Sequence, residues 1–273
     1  MYEEYWQLDR KPFESNADAH FYYPSESHQG AILKLRYAVE NSSGCALITG
    51  APGLGKTQVV QALLAQLPDN LTPCVNLVFP QMPADQLLDY IADELAGIPA
   101  KGKVNSIEES IRRIQSTLQA NSEAGKKAVL VVDEAHLISE EGIFDTLRLL
   151  LNFDTTSQSK LALVLVGQAG ILPILDRRPG LEERMVVKCM LRPLTEDETA
   201  SYIQHRLSQA GGSSDIFEPE AIEAVFGITR GFPRKINRLC DLALLVGYAQ
   251  ELTTISAEHI ESVSEELITV VPE

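Results

Sequence analysis

The residues Gly50-Ala51-Pro52-Gly53-Leu54-Gly55-Lys56-Thr57 follow the spacing G-x-x-x-x-G-K-[ST]. The chemistry of such a loop is phosphate binding. Glycines let the backbone N–H groups point inward at conformations and approach distances that a Cβ would block. Lys56 then meets the β- and γ-oxygens, and Thr57 offers its hydroxyl to Mg²⁺. The helix that Thr57 and Gln58 open turns the positive end of its dipole toward the phosphates. An apolar run, Cys45 to Thr49, precedes the loop, and a helical pattern, Gln58 to Gln66, follows it. That strand and helix setting distinguishes a P-loop from a chance glycine-rich turn, so ATP with Mg²⁺ is the expected ligand.

A second set of groups completes the chemistry. Ala128 to Val132 is an apolar run ending in Asp133-Glu134, which delivers two carboxylates where open α/β sheets bind ligands. Asp133 can enter the Mg²⁺ shell, which needs few carboxylates. Glu134 can polarise the attacking water as general base. The same pair also suits a helix start as N-terminal acids, a role that coexists with chemistry. Gln168 ends the apolar run Leu161 to Gly167, either as a sensor of γ-phosphate or water or as a surface-loop glutamine. Asn76, inside Val75 to Phe79, is either a satisfied core amide or a partner that restrains Glu134. In Gly231-Phe232-Pro233-Arg234, Pro233 suits the first helical position and places Arg234 in the first turn, where a cation opposes the dipole. Such a placement points to a phosphate partner and gives Arg234 a γ-phosphate-sensing role. Arg177, Arg178 and Arg184 cluster before the last apolar run. One of them can be an arginine finger acting on a neighbouring subunit's nucleotide, with Arg184 the first choice and Arg177 the fallback.

Elements must hold these groups in place. Apolar runs at Cys45–Thr49, Cys74–Phe79, Ala128–Val132, Leu161–Gly167 and Met185–Leu191 alternate with helical patterns, which predicts a parallel sheet covered on both faces. Ser106 with Glu109 reads as a capping box before a stripe of Ile107, Ile111, Ile114 and Leu118. Gly97–Asn105 and Asn121–Lys127 read as surface loops. The strand pattern stops after Leu191, and Thr195 with Glu198 forms a second capping box. Helices are expected around Glu198–Ala210, Pro219–Gly227, Pro233–Ala249 and Ser256–Leu267. The division expected is residues 1–192, an α/β nucleotide-binding core, and residues 193–273, a small all-helical lid.

Composition sets the outer bounds. A chain of 273 residues, 45% hydrophobic, can bury one large core or a large and a small one. It has no run of 18 apolar residues, and Met1 to Lys11 is acidic and aromatic rather than basic and then apolar, so neither a membrane span nor a signal peptide is expected. Cytoplasmic placement follows. Cys45, Cys74, Cys189 and Cys240 lie far apart beside apolar runs and read as buried thiols. A net charge of -15 disfavours extended binding to nucleic acid, leaving only a local basic patch to engage DNA.

Taken together, the P-loop, Asp133-Glu134, the polar end at Gln168, Arg184 and the Gly-Phe-Pro-Arg helix resemble an AAA+ ATPase. Met1-Tyr2-Glu3, Pro12-Phe13, Phe21-Tyr22, His28, the run Leu163 to Gln168 and the Arg234 segment further resemble the general secretion pathway protein A (ExeA) family over nearly the whole chain. ATPases of mannose-sensitive pilus biogenesis and of exosortase-linked exopolysaccharide loci are shorter relatives, and transposition ATPases of the TniB type more distant ones. The resemblance implies a five-stranded sheet of order 5-1-4-3-2, a nucleotide between core and lid, and Pro12, Phe13 and His28 near the adenine. Pro12-Phe13 reads equally as a core staple. It also implies a homo-oligomer, ring or filament, and a partner in an inner-membrane or envelope-assembly machine. Secretion-type members continue into a membrane span and a periplasmic peptidoglycan-binding domain, which this sequence lacks. A standalone relative or a truncated piece is therefore expected. Glu183-Arg184 departs from the Gln-Arg or Ser-Arg of many relatives.

Overall fold

A computed structural model describes residues 1–14, 19–41, 44–97, 105–138, 141–152 and 160–269. Within Gly97–Asn105, the expected loop, residues 98–104 lie outside the described residues. The chain divides into two compact units. A sheet unit comprises Ser27–Ala51 and Val59–Leu191, and a helical unit comprises Met1–Glu26, Pro52–Gln58 and Arg192–Glu273.

The sheet unit is built on five parallel strands: β1 (Cys45–Thr49), β2 (Cys74–Leu77), β3 (Ala128–Val132), β4 (Leu161–Gly167) and β5 (Met185–Met190), in the order β2-β3-β4-β1-β5. Read from the other edge this is 5-1-4-3-2. β1, β3 and β4 are buried at every position, because strands covered on both faces need apolar side chains on both. Leu47, Leu130 and Leu165 are each 0% exposed, and each such burial contributes about 1.5–3 kcal/mol. The edge strand β2 instead alternates, so Cys74 and Asn76 are exposed. This corrects two expectations: Cys74 is not a buried thiol, and Asn76 is not a core amide. Cys45, Cys189 and Cys240 are buried.

Helices α1 (Glu26–Asn41), α3 (Ala84–Ala96), α4 (Ile107–Glu123), α5 (Glu141–Leu150) and the short α6 (Leu172–Asp176) and α7 (Pro179–Glu182) join the strands, with α2 (Lys56–Leu64) following β1. Ser106 caps α4 by accepting from the Glu109 N–H at 3.2 Å. α4 continues to Glu123, so the loop expected from Asn121 begins three residues later.

The helical unit contains α8 (Glu196–Gln209), α9 (Pro219–Thr229), α10 (Pro233–Ala249) and α11 (Ala257–Thr269). Thr195 and Glu198 form the full capping box of α8. The core of this unit also takes Tyr2, Trp6, Leu8, Phe13 and Phe21. The N-terminal segment therefore packs with the helices, where the sequence grouped it with the sheet. Arg206, 0% exposed, fastens it by donating to the carbonyls of Pro12 and Glu14 and lying over the Phe21 ring.

Candidate functional site

In the helical unit the phosphate-type loop runs through Pro52–Gln58. Gly53 and Gly55 adopt φ +81° and +85°, conformations that L side chains rarely take. The loop thus has the backbone turns that inward-facing N–H groups require. Leu54 and Lys56 are buried, at 2% and 7% exposure, while Pro52 and Thr57 are exposed and Gln58 half-buried. Lys56 is the first residue of α2.

α10 is anchored to this loop. The N–H of Arg234 donates to the Gly53 carbonyl at 3.3 Å, and a Cβ on Gly53 would come within 2.8 Å of the Arg234 Cβ. Gly231 sets the approach of α10. Its φ is +71°, and a Cβ there would lie 2.0 Å from the Leu194 carbonyl oxygen. Arg234 is exposed and lines a groove of about 510 Å³ with Lys11, Phe13, Arg238 and Asp241. Phe13 itself is 1% exposed and packs edge-on against Phe217 at 6.0 Å. Its packing matches the core-staple reading. Pro12 is buried too, its carbonyl taken by Arg206.

In the sheet unit, Gly50 and exposed Ala51 continue from β1. Asp133, Glu134 and Gln168 stand at the C-terminal edges of β3 and β4. The Asp133 N–H extends the β2 ladder to the Leu77 carbonyl at 2.8 Å, and Asp133 is 7% exposed. Its carboxylate accepts from the Glu134 N–H at 2.8 Å. Glu134 adopts φ +49°, uncommon for a residue with a side chain, and that side chain is 43% exposed. Asp133 carboxylate and Thr57 hydroxyl are hard oxygen donors, the class Mg²⁺ prefers. Gln168 is half-buried, and His28 on α1 is 5% exposed.

The arginines do not form one group. Arg184 lies at the opposite edge of the sheet from Asp133, its carbonyl accepting from the Cys45 N–H at 2.9 Å and its guanidinium bonded to Asn152. Arg177 and Arg178 instead line a cavity of about 550 Å³ with Arg148 of α5. Arg178 stacks over Phe144 at 5.0 Å and donates to the Ile174 carbonyl, while Arg177 is exposed. Nothing in the spacing marks Arg148, which sits among the amphipathic residues of α5 like any solvated cation.

His136 completes Asp133-Glu134-Ala135-His136 in sequence, but spacing does not show what it touches. Its Nδ1 lies 3.3 Å from a Glu134 carboxylate oxygen and 3.3 Å from the Gln168 backbone nitrogen.

A family model described as "AAA domain" matches residues 39–175. General secretion pathway protein A of Aeromonas hydrophila is 35% identical over 254 residues, covering 92% of this chain and 45% of that protein. A human cell division control protein 6 homolog is 30% identical over 178 residues, covering 61% of this chain and 30% of its own length. The chain thus spans less than half the length of these relatives. Among solved structures, Cdc6p from Pyrobaculum aerophilum superposes with a TM-score of 0.72 at 18% identity, covering 97% of this chain and 75% of that one. At that identity the likeness speaks for the fold alone. Among the described residues, no helix is long and apolar enough to cross a membrane.

Proposed function

The chain belongs to the general secretion pathway protein A-like AAA+ ATPases, and from that membership we propose that it binds and hydrolyses ATP with Mg²⁺ to remodel an assembly of its own subunits. Residues Gly50–Gln58 would hold the phosphates, with Lys56 on the β/γ oxygens and Thr57 and Asp133 on the metal. Bound Mg²⁺ would neutralise charge on the transferring phosphoryl group. Glu134 would take the proton of the attacking water, its side chain being open to solvent. Gln168 would report on the water or γ-phosphate. Arg184, remote from the Asp133 edge of its own sheet, fits action on a neighbouring subunit. Arg177 is the second choice, supported by the cavity it shares with two further guanidinium groups.

The observation that carries the coupling is the bond from Arg234 to Gly53. A change of loop conformation on hydrolysis would move the first turn of α10 directly. By analogy with the secretion relative, the output would be assembly of an envelope machine from the cytoplasmic side, with ring or filament formation. An ATP-switched DNA-binding adaptor of the transposition (TniB-like) type is the second reading. It rests on the exposed Lys126 and Lys160, which line one small pocket of about 210 Å³ together with Glu40, against a net charge of -15.

The test is ATP turnover against protein concentration at low salt, with and without duplex DNA, for the wild type and Glu134→Gln. Steep concentration dependence without a DNA effect, abolished but for a slow residual rate in Glu134→Gln with ATP binding retained, is expected. Salt-sensitive stimulation by DNA would favour the adaptor, and retained turnover in Glu134→Gln would remove Glu134 from its role.

A further inference from the structure

The contacts of His136 are mutually exclusive. Its Nδ1 lies 3.3 Å from Glu134 Oε2 and 3.3 Å from the Gln168 backbone nitrogen. An imidazole nitrogen carries either a proton or a lone pair. Gln168 can only donate its N–H, so that bond needs the lone pair on Nδ1. The Glu134 carboxylate can only accept, so pairing with it needs the proton on Nδ1. When one contact forms, the other is lost.

The surroundings bring the ring to this position. Glu134 turns the chain out of β3 at φ +49°, and Ala135–Leu137 form one 3-10 turn that swings His136 toward β4. Gly167, the last residue of β4, leaves the room: a Cβ on it would sit 3.3 Å from the His136 backbone nitrogen and 3.5 Å from Nδ1. The His136 side chain is only 14% exposed, whereas the Glu134 side chain is 43% exposed. The imidazole is thus the more fixed partner.

We propose that His136 is a positioning residue, orienting the Glu134 carboxylate and linking that orientation to the end of β4 through its choice between Glu134 and the Gln168 N–H. A shift of Gln168 that withdraws its N–H leaves Nδ1 to hold Glu134. A shift that restores it releases the carboxylate. Exchange between the two neutral tautomers suffices, and no net charge changes. The inference rests on Glu134 acting as the base.

The side chain of asparagine provides a control. Its amide occupies the place of Cγ–Nδ1 and, by a half-turn about its last torsion, offers either an N–H or an oxygen there. Steady-state hydrolysis, affinity for a fluorescent ATP analogue and melting temperature are measured for His136→Ala, His136→Phe and His136→Asn. The expected result is a fall in kcat of about tenfold for Ala and Phe, part of the 10²–10⁴ that a well-placed general base supplies. Affinity and melting temperature stay unchanged, and Asn remains within about threefold of wild type. In a Glu134→Gln background, His136→Ala should lower the slow residual rate no further, because a residue acting through Glu134 has nothing left to orient. Unchanged kcat in Ala and Phe, an Asn variant as slow as Ala, full additivity with Glu134→Gln, or loss in step with melting temperature would each overturn the proposal. An inactive Glu134→Gln with a fully active His136→Ala defeats this inference alone. An active Glu134→Gln defeats the assignment of the base, and the inference with it.

Discussion

Replacing Gly53 by alanine tests how tightly the phosphate loop and α10 are joined. Two penalties add. At φ +81° a side chain costs about 1–2 kcal/mol through its clash with the following carbonyl. The new Cβ would also lie 2.8 Å from the Arg234 Cβ, where carbons settle at about 3.5–4.0 Å; opening that gap costs about 1–3 kcal/mol. The variant loop relaxes when empty and must regain this φ and this approach to hold phosphate, so a total near 3 kcal/mol falls on binding and weakens ATP affinity about 100-fold, at about 1.4 kcal/mol per decade. The second penalty belongs to a Cβ rather than to the guanidinium, so position 234 separates the two. In an Arg234→Ala background the Cβ remains and Gly53→Ala keeps its full cost. In an Arg234→Gly background the clash disappears, and only the φ strain, about tenfold, is left. Both backgrounds lack the guanidinium equally, which removes any phosphate contact of Arg234 from the comparison. Equilibrium binding of a fluorescent ATP analogue to the four proteins gives the result, with melting curves as the fold control. Equal penalties in the two backgrounds would refute the close approach of loop and helix.

Two further perturbations probe what holds each unit together. Arg206→Met removes buried donors from the carbonyls of Pro12 and Glu14; with about 1–3 kcal/mol for each orphaned acceptor, a loss of about 3–5 kcal/mol is expected in urea denaturation, and one under about 1 kcal/mol would contradict it. In the sheet unit, burial tends to raise the Asp89 pKa, but hydrogen bonds from Asn105 and Ser110 and the Arg113 charge outweigh it and hold the carboxyl below its usual range. A depressed folded value means the stabilisation is complete above the unfolded pKa of about 4 and is lost as pH falls through the lower folded value. Melting temperature against pH should therefore drop less steeply on the acid side for Asp89→Asn than for wild type; parallel curves would show that Asp89 contributes nothing to acid lability.

The central strands were legible because burial on both faces leaves unbroken apolar runs, and the sequence bounds of β1, β3 and β4 match the structure. α10 was legible at both ends, since Pro233 marks its start and its buried stripe runs without interruption. The order of the strands was not in the periodicity at all and came from family resemblance. Edge strands misled: β2 has one exposed face, so Cys74 and Asn76 read as core when only Val75 and Leu77 are. The contacts of His136 are not legible in Asp133-Glu134-Ala135-His136, because they depend on Gly167, 31 residues on, having no side chain. Arg148 and Arg177 line one cavity for a similar reason, the approach of α5 to the segment of α6 and α7 being a property of the tertiary fold.

The membership of Met1–Glu26 in the helical unit has a consequence for how the chain is made. These residues are synthesised before the helices they pack with, which begin only at Glu196. Throughout synthesis of the sheet unit, Tyr2, Trp6, Phe13 and Phe21 have no completed core to enter, and transiently exposed apolar surface of this kind is prone to aggregation. Trp6 is the sole tryptophan of the protein, and its indole N–H donates to the Leu244 carbonyl at 2.9 Å. Its fluorescence therefore reports the joining of two segments that are 238 residues apart in the chain.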